Sequence, residues 1–476
     1  MISWLFEIDA LKLSTKDVTY SAVDYSGIII SDSFNGVSLR WNISGNGLIA
    51  PNDLQFDVSN VDDTYTASDF ETKDCTVRLI IDDVETRTWK FTITRALVYY
   101  GKITCYCEDF LQQLLVGDYP NTKSPKNIWP SDDADNDIDD DYCVPVILGT
   151  AYIPVRSVNT ATERYYILGV SGPTYTVTTV KSPRSWPNSS TWAASSYTMT
   201  GSVSAGYQLL QPIIADSTGD GNADATGLWR SGDTFYDMLC KYSRDDTVAL
   251  TNPAEWIEYV LEDFGVASAD LDAVSFAAAD AVYDSYSIVF NGGWFRKQTR
   301  EAVLSNLLAQ CDSFLVCTDK VELYQFSKTS KETITNLLSA SFSPSPIEPQ
   351  IYDSGKVAWP SSATVPQDVL DGKADVPIVD AGPTVSTSSE TLACTFLVAQ
   401  SQNAQKAGVL YFHKKYGQTQ RLNFSTTLTS MTTATTISPG QVITINNTLY
   451  GGSTEVIITD MQINPDLRVE FTGVAL

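Results

Sequence analysis

Apolar residues occupy every second position over much of the first hundred residues. From Ile2 to Ile8 they alternate with polar neighbours, which is the period of a half-buried β-strand. The same period returns in four runs separated by turn residues, namely Leu54–Val58, Val77–Ile81, Trp89–Ile93 and Ile103–Cys107. We therefore predict a compact antiparallel barrel or sandwich over residues 1 to about 107, followed by a short helix over Asp109–Leu115.

The apolar residues change to a helical spacing after residue 252. Asn252 is a suitable N-cap residue, and Pro253 follows at the first helical position, where its missing N–H costs nothing. Gly265 ends this helix. A second amphipathic helix begins after the capping residue Thr299 and carries its apolar face as far as Cys311.

Short strands are predicted around these two helices. An alanine-rich segment follows the first helix, and Tyr286–Phe290 has the composition of a strand that Gly292-Gly293 breaks. Ser313–Cys317 and Val321–Phe326 flank a polar turn and predict a β-hairpin.

A charged and proline-rich stretch separates the N-terminal strands from the rest. Pro120–Pro130 cannot hold regular structure, and seven aspartates follow between Asp132 and Asp141. Like charges at this density repel each other and stay solvated, although calcium could bridge them. We interpret the stretch as an acidic linker.

The next part of the chain has the pattern of a small β domain. Residues 143 to 210 are rich in Tyr, Thr and Val between Gly and Pro turns. Pro145 and Pro154 restrict their strands to edge or irregular positions, because proline has no N–H to donate. The pattern over Trp229–Tyr242 predicts a helix.

The C-terminal part contains one helix among strands. Leu392–Leu397 has the composition of a strand, and Gln402–Tyr416 predicts a helix that Gly417 ends. The strands predicted beyond it are 421–428, 441–445, 455–460 and 467–471.

The elements and the composition together predict a β-dominated α+β fold with several domains. A chain of 476 residues is too long for one core, so about two to four domains are expected. Hydrophobic residues make up 43% of the chain, which is enough to fold it throughout.

The net charge limits the classes of partner. The chain has 31 Lys and Arg residues and 57 Asp and Glu residues, which gives a net charge of −26, so its surface repels phosphate. A protein that grips nucleic acid through counterion release needs the opposite sign. A channel through which DNA slides without sticking would be served by this charge, although the charge also suits any soluble acidic protein.

No targeting segment is predicted, and the cysteines have no ligand spacing. The N-terminus lacks a basic region followed by an apolar core, and no run of about 18 apolar residues could span a membrane. Eight cysteines lie scattered without a Cys-x-x-Cys pair, so we expect reduced, buried thiols. Cys105 and Cys107 share a strand face, which leaves an iron–sulfur or zinc site with distant partners as the alternative.

One loop has the ligand order of a calcium site. The loop that begins at Asp216 has oxygen ligands at positions 1, 3, 5 and 9 and a glycine at position 6. Its candidate metal ligands are Asp216, Asp220, Asn222 and Asp224. Position 12 is Gly227, where a bidentate acid belongs, so the loop is incomplete. The alternative is a polar turn rich in Asp and Asn.

The sequence contains few of the residues and motifs that enzymes use for catalysis. His413 is the only histidine and lies on the predicted C-terminal helix, and Gly-x-Ser-x-Gly and phosphate-binding glycine motifs are absent. Paired carboxylates of a glycosidase kind remain open, because 57 acids bring some close together by chance. We expect no enzymatic activity.

The order of elements resembles that of a known family. An Asn-Pro-capped helix, a Phe264-Gly265 stop, an alanine-rich segment, a strand, a helix and a hairpin with an Asp319-Lys320 turn follow each other. This order resembles the central domain of bacteriophage tail baseplate hub proteins, trimeric proteins that close the tail tube of phages and of related gene transfer agents. The Val144-Pro-Val segment and the Pro439-Gly440 turn resemble the same family.

The resemblance implies a structural virion protein of four parts. These are an N-terminal β-barrel hub domain at 1–118, an acidic linker with a small inserted β domain at 119–215, a central α+β domain at 216–345 and a C-terminal domain at 346–476 that completes a barrel. Assembly would occur in the bacterial host cytoplasm and end in the virion.

The resemblance also implies partners. It implies a homotrimer with a distal tail protein and a tail tube protein above, tail tip fibre or spike proteins below and a tape measure protein within. DNA would pass through the ring without specific binding, with no membrane anchor, and no cofactor is expected other than calcium. Two alternatives are a β-rich adhesin or carbohydrate-binding tail protein, whose exposed Trp and Tyr would stack on sugars, and a glycoside hydrolase.

Overall fold

Strands dominate the chain, and the predicted β-dominated α+β class is confirmed. This computed structural model describes residues 2–41, 47–51, 54–121, 142–155, 157–159, 164–170, 175–182, 193–194, 197–200, 207–212, 238–244, 250–327, 329–335, 337–338, 343–346, 354–363, 367, 369–377, 390–416, 420–428, 437–447 and 452–476.

The N-terminal part supplies one whole sheet and a piece of another. Its elements are β1 (Ile2–Ile8), β2 (Leu11–Ser14), β3 (Val18–Tyr20), β4 (Val23–Tyr25), β5 (Val37–Trp41), β6 (Leu48–Pro51), β7 (Leu54–Ser59), β8 (Asp74–Ile81), β9 (Val84–Tyr99), β10 (Lys102–Asp109), α1 (Phe110–Leu114) and β11 (Asp118–Tyr119). Six strands form an antiparallel sheet in the order β2-β1-β8-β9-β10-β7. The strands predicted from alternation and the short helix after Cys107 are confirmed.

The middle part forms two small four-stranded sheets. Its strands are β12 (Tyr142–Leu148), β13 (Thr150–Val155), β14 (Ser157–Asn159), β15 (Arg164–Val170), β16 (Tyr175–Ser182), β17 (Ala193–Ala194), β18 (Tyr197–Thr200), β19 (Tyr207–Pro212) and β20 (Met238–Arg244). The orders are β13-β20-β16-β17 and β14-β15-β19-β18. Pro154 lies in β13, which is an edge strand, as its missing N–H requires.

The central part contains three helices and the predicted hairpin. Its elements are α2 (Pro253–Phe264), α3 (Ala273–Ser285), β21 (Gly292–Arg296), β22 (Gln298–Thr299), α4 (Arg300–Gln310), β23 (Ser313–Cys317) and β24 (Val321–Gln325). The Asn252 side chain accepts a hydrogen bond from the Ala254 N–H at 2.9 Å, and Gly265 ends α2 with a φ of 106°. Thr299 caps α4. Both predicted helix starts are therefore confirmed.

The C-terminal part adds a helix and the remaining strands. Its elements are β25 (Thr333–Ile334), β26 (Ser343–Pro346), β27 (Ser354–Trp359), β28 (Gly372–Pro377), β29 (Thr391–Ala393), α5 (Ser401–Tyr416), β30 (Gln420–Thr427), β31 (Val442–Asn447), β32 (Gly452–Ile463) and β33 (Arg468–Ala475). The predicted helix is confirmed, whereas the strand predicted over Leu392–Leu397 shortens to β29.

One large sheet combines strands from distant parts of the chain. Its order is β24-β23-β6-β5-β32-β33-β30-β26, with β31 attached to β32 and β25 attached to β31. The hairpin strand β23 lies parallel to β6, and β5 lies antiparallel to β32. The N-terminal, central and C-terminal parts therefore share one hydrogen-bonded sheet.

Two large hydrophobic cores hold most of the buried apolar side chains in the described ranges, and Leu5, Tyr25 and Ile80 form a small separate cluster. The first, which we call the β-core, takes side chains from both large sheets, among them Trp4, Phe6, Trp89, Phe424 and Phe471. The second, the helical core, takes them from α2 to α5 and from β27 and β28, among them Trp256, Leu261, Leu304, Val357 and Phe412. The described strands and helix between 354 and 416 thus pack with the central helices, and the described strands between 420 and 475 pack with the N-terminal sheet.

The segment around Tyr286–Phe290 differs from the prediction of a strand ended by glycines. The alanine-rich segment is helix α3, which continues to Ser285, and the Phe290 N–H then donates to the Thr251 carbonyl at 2.8 Å. The two glycines begin strand β21 rather than break a strand. A Cβ on Gly293 would lie 2.3 Å from the Val146 carbonyl oxygen, so glycine permits the close pairing of β21 with β12.

The helix predicted over Trp229–Tyr242 is also wrong where the structure describes it. Met238–Arg244 is strand β20, which pairs with β13 on one side and with β16 on the other. Two hydrogen-bonded neighbours outweigh a local helical pattern.

Candidate functional site

The predicted calcium loop lies outside the described residues. Asp216, Asp220, Asn222 and Asp224 all fall between 213 and 237, so calcium binding there stays a prediction. His413 belongs to α5, but its side chain is likewise outside what the structure describes. Within the described ranges, no three His, Cys, Asp or Glu side chains are grouped so that they could share a metal ion.

Cys105 and Cys107 lie together with Cys75 in the β-core. All three side chains are buried, and their thiols are free. Burial raises the pKa of the Cys105 and Cys107 thiols. A thiol that stays protonated is a poor metal ligand and a poor nucleophile, so this arrangement favours a packing role.

The hairpin strand β23 joins the two cores, because it is buried on both faces. Phe314 and Val316 point into the β-core, whereas Leu315 and Cys317 point into the helical core. Successive side chains of a strand point to opposite faces, so five consecutive apolar or small residues suit a strand between two cores.

Polar side chains collect where the hairpin meets β9 and the C-terminal segment. A cavity of about 230 Å³ lies there, lined by Arg87 of β9, Glu322 and Tyr324 of β24, and Ser438. We call it the junction cavity. A carboxylate, a phenol and a guanidinium converge there in a concave site, so we take it as the candidate functional site.

Hydrogen bonds occupy the Glu322 carboxylate. The Tyr324 hydroxyl donates to Oε2 and the Thr318 hydroxyl donates to Oε1, the latter at 3.1 Å. Burial nevertheless raises the pKa of Glu322, with a smaller opposite effect from these hydrogen bonds and from Arg87. Both oxygens are bound by the hairpin itself, which suits a carboxylate that fixes the turn between β23 and β24.

Arg87 connects the N-terminal sheet to the C-terminal segment. Its guanidinium is buried and donates to the Ile437 carbonyl, and it lies 3.9 Å from the Met461 sulfur. Burial lowers the pKa of Arg87 to about 10, and the charge of Glu322 opposes that shift. At neutral pH the arginine therefore stays charged, and it ties β9 to strands far along the chain.

A second polar junction lies beside the first. Asp109, at the end of β10, accepts hydrogen bonds from the Cys317 thiol and the Leu111 N–H, each at 3.1 Å. Burial raises the pKa of Asp109 to about 6. Its other oxygen, Oδ2, is buried without a hydrogen-bond partner among the described residues. On the surface nearby, Lys90 pairs with Asp270 at 2.5 Å.

Sequence reasoning did not find these junction residues. Glu322 stands between Val321 and Leu323, at the outward position of an alternating strand. Arg87 instead has the parity of Trp89 and continues the inward face of β9, so the alternation was a local signal for its burial. Its partners lie far along the chain, and no local signal could have identified them.

Comparison with known proteins gives structural neighbours only. No protein-family model and no curated protein matches the chain. It is similar to a 43 kDa tail protein of prophage MuSo2 from Shewanella oneidensis, at 11% identity over 100% of this chain and 98% of that chain, with a TM-score of 0.45. It is also similar to a prophage tail protein from Listeria monocytogenes EGD-e, at 8% identity over 99% of this chain and 94% of that chain, with a TM-score of 0.43.

A third neighbour is a chain of the virion of a native gene transfer agent particle. It is 9% identical over 70% of this chain and 84% of that chain, with a TM-score of 0.48. The names of these three neighbours describe tail and virion components. Separately, none of the helices in the described ranges has the length and apolar character to cross a membrane.

Proposed function

We propose that the chain is a structural protein of a bacteriophage tail, a hub subunit that forms a trimeric ring at the distal end of the tail tube. The observation that supports this most directly is the shared sheet. One chain carries two large sheets that pack on a common β-core, and β5, β6 and β23 bring N-terminal and central strands into the sheet of the C-terminal strands. Three copies around a threefold axis would present six such sheets, which suits contact with a hexameric tube.

The partners follow from that position in the tail. The distal tail and tail tube proteins would lie above the ring, tip fibre or spike proteins below it and the tape measure protein within it. A net charge of −26 would let DNA leave through the ring without adhering to it. The role is structural, because the polar groups of the junction cavity bind one another and hold segments together.

The test is the mass of the purified protein. Light scattering should give three times the 52.1 kDa of one chain, and negative-stain images should show rings. A monomer that binds glycans would instead support a carbohydrate-binding tail protein. Glycan hydrolysis that is lost on Glu322→Gln would support a hydrolase and overturn the proposal.

A further inference from the structure

The turn between β9 and β10 carries a group of exposed apolar side chains. Tyr100 is fully exposed, and Val98 and Tyr99 are about half exposed, at 54% and 51%. Val61 is 76% exposed and lies beside the same turn, because the Asn60 N–H donates to the Gly101 carbonyl. We call Val61, Val98, Tyr99 and Tyr100 the tyrosine tip. Exposed apolar side chains gathered at one turn form a candidate interaction surface.

A groove on the helical part has the complementary character. It measures about 610 Å³ and lies between α5, the end of α3 and the end of the hairpin. Ile288, Phe326, Val409 and Leu410 supply apolar surface. Amide side chains supply most of its polar lining, namely Gln310, Gln325, Gln402, Asn403 and Gln405. We call it the amide groove. Tyrosine has an apolar ring and one hydroxyl, so it suits an apolar groove edged by amides.

Charge complementarity favours another copy of this chain as the occupant of the groove. Two chains that each carry −26 repel, so copies approach most readily through surfaces where acidic side chains are few or face a lysine. Among the described residues that line the amide groove, Asp312 is the one acid, and it is paired with Lys414. The exposed Lys406 stands at the groove, 5.5 Å from the ring of Tyr286.

The tip carries the opposite charge next to its apolar surface. Asp62 and Asp63 follow Val61 and are exposed. They can therefore face Lys406 of a second copy when the tip enters its groove, a pairing of the sign that directs association. Because Tyr100 is fully exposed, the tip does not occupy the groove of its own chain.

We propose that the tyrosine tip of one copy inserts into the amide groove of the next. The contact joins two different surfaces, so repeating it around a threefold axis closes a ring. This inference rests on the proposed trimer and adds the surfaces that form it.

Two variants and a matched control test the contact. Tyr99→Ser with Tyr100→Ser removes the tip, and Leu410→Glu places a charge in the groove. Each should raise the dissociation constant of the trimer by roughly tenfold or more, because buried aromatic and apolar anchors dominate interfaces. Val84→Ser changes an exposed apolar residue at the other end of β9 and should leave the trimer intact. Circular dichroism shows that each variant folds.

The outcomes separate this inference from the proposed function. If the wild type and the control are trimers and the tip and groove variants are monomers, the contact and the hub proposal are both supported. Trimeric tip and groove variants overturn the contact and leave the hub proposal standing. Monomeric wild type overturns both.

Mixing the two variants tests the head-to-tail geometry. The tip variant keeps an intact groove, and the groove variant keeps an intact tip. In an equimolar mixture, the tip of a groove variant can therefore enter the groove of a tip variant, but the pair has no second intact tip and groove with which to close a ring. Sedimentation should show twice the 52.1 kDa mass for the mixture, and one chain mass for either variant alone. A mixture that stays monomeric overturns the head-to-tail contact.

Discussion

Asp109 shows how burial turns one carboxylate into a determinant of stability. Its pKa is raised from the ordinary 3.8 to about 6, mainly by burial. The native state therefore holds the proton more tightly than the unfolded state does. The stability that comes from the protonated form is fully present below about pH 4 and is lost as the pH rises through about 6.

We expect Asp109→Asn to raise the free energy of unfolding by about 1 to 3 kcal/mol at about pH 8. The amide keeps an oxygen acceptor for Cys317 and Leu111 but carries no buried charge. Near pH 4 the gain should vanish, because the wild-type carboxyl is then protonated. Urea unfolding at both pH values measures this, with the exposed Asp118→Asn as control. An equal gain at both pH values would contradict the explanation.

Arg87 is expected to contribute more to the free energy of unfolding than an exposed arginine does. Arg87→Met should lower the free energy of unfolding by about 2 to 4 kcal/mol, because it leaves Glu322 without its nearby cation and the Ile437 carbonyl without this donor. Arg40→Met is the matched control, since Arg40 is 65% exposed and pairs with Asp460 on the surface. The control should cost about 0.5 kcal/mol or less. Equal losses in urea unfolding would refute a special role for Arg87.

Calcium binding by the loop from Asp216 to Asp224 remains a separate prediction. Oxygen ligands around a glycine favour Ca²⁺, and the missing acid at position 12 predicts weak binding. Titration calorimetry should show heat with the wild type and none with Asp220→Ala. Absence of heat with both proteins would exclude the site.

At the scale of elements, the sequence predicted correctly those helices and strands whose conformation is set by residues close along the chain. Helix α2 is where the sequence places it, because its cap and its glycine stop act within their own turns. Strand β20 and the glycines of β21 were misinterpreted, because their conformation depends on partners far along the chain. The candidate site shares this dependence, since β9, β24 and Ser438 meet only in the finished fold.

The hairpin strand β23 should couple the two cores. Leu315→Ala removes a buried side chain from the helical core and loosens a strand whose other face holds the β-core. We expect a loss of about 2 to 5 kcal/mol and faster hydrogen exchange in both α2 and β8. Leu261→Ala makes the same change within α2 and should speed exchange mainly in the helical part. Unchanged exchange in β8 for Leu315→Ala would show that the cores unfold independently.

At the scale of the molecule, the net charge of −26 should govern how the proposed ring responds to salt. Copies that repel come together more readily when their charges are screened, and the screening length falls from about 30 Å at 0.01 M salt to about 8 Å at 0.15 M. Exposed ion pairs such as the proposed contact of Asp62 and Asp63 with Lys406 contribute only about 0 to 1 kcal/mol each, so general repulsion should prevail over them.

The dissociation constant of the trimer should therefore fall as sodium chloride rises over that range, which sedimentation equilibrium can measure. Urea unfolding of the same samples controls for a change in the fold itself. The quadruple change Asp24→Asn, Asp32→Asn, Glu455→Gln and Glu470→Gln lowers the net negative charge outside the proposed contact and should weaken the salt dependence, because less repulsion remains to be screened. If added salt instead dissociates the trimer, specific ion pairs hold the ring together, and the role assigned to its apolar tip is wrong.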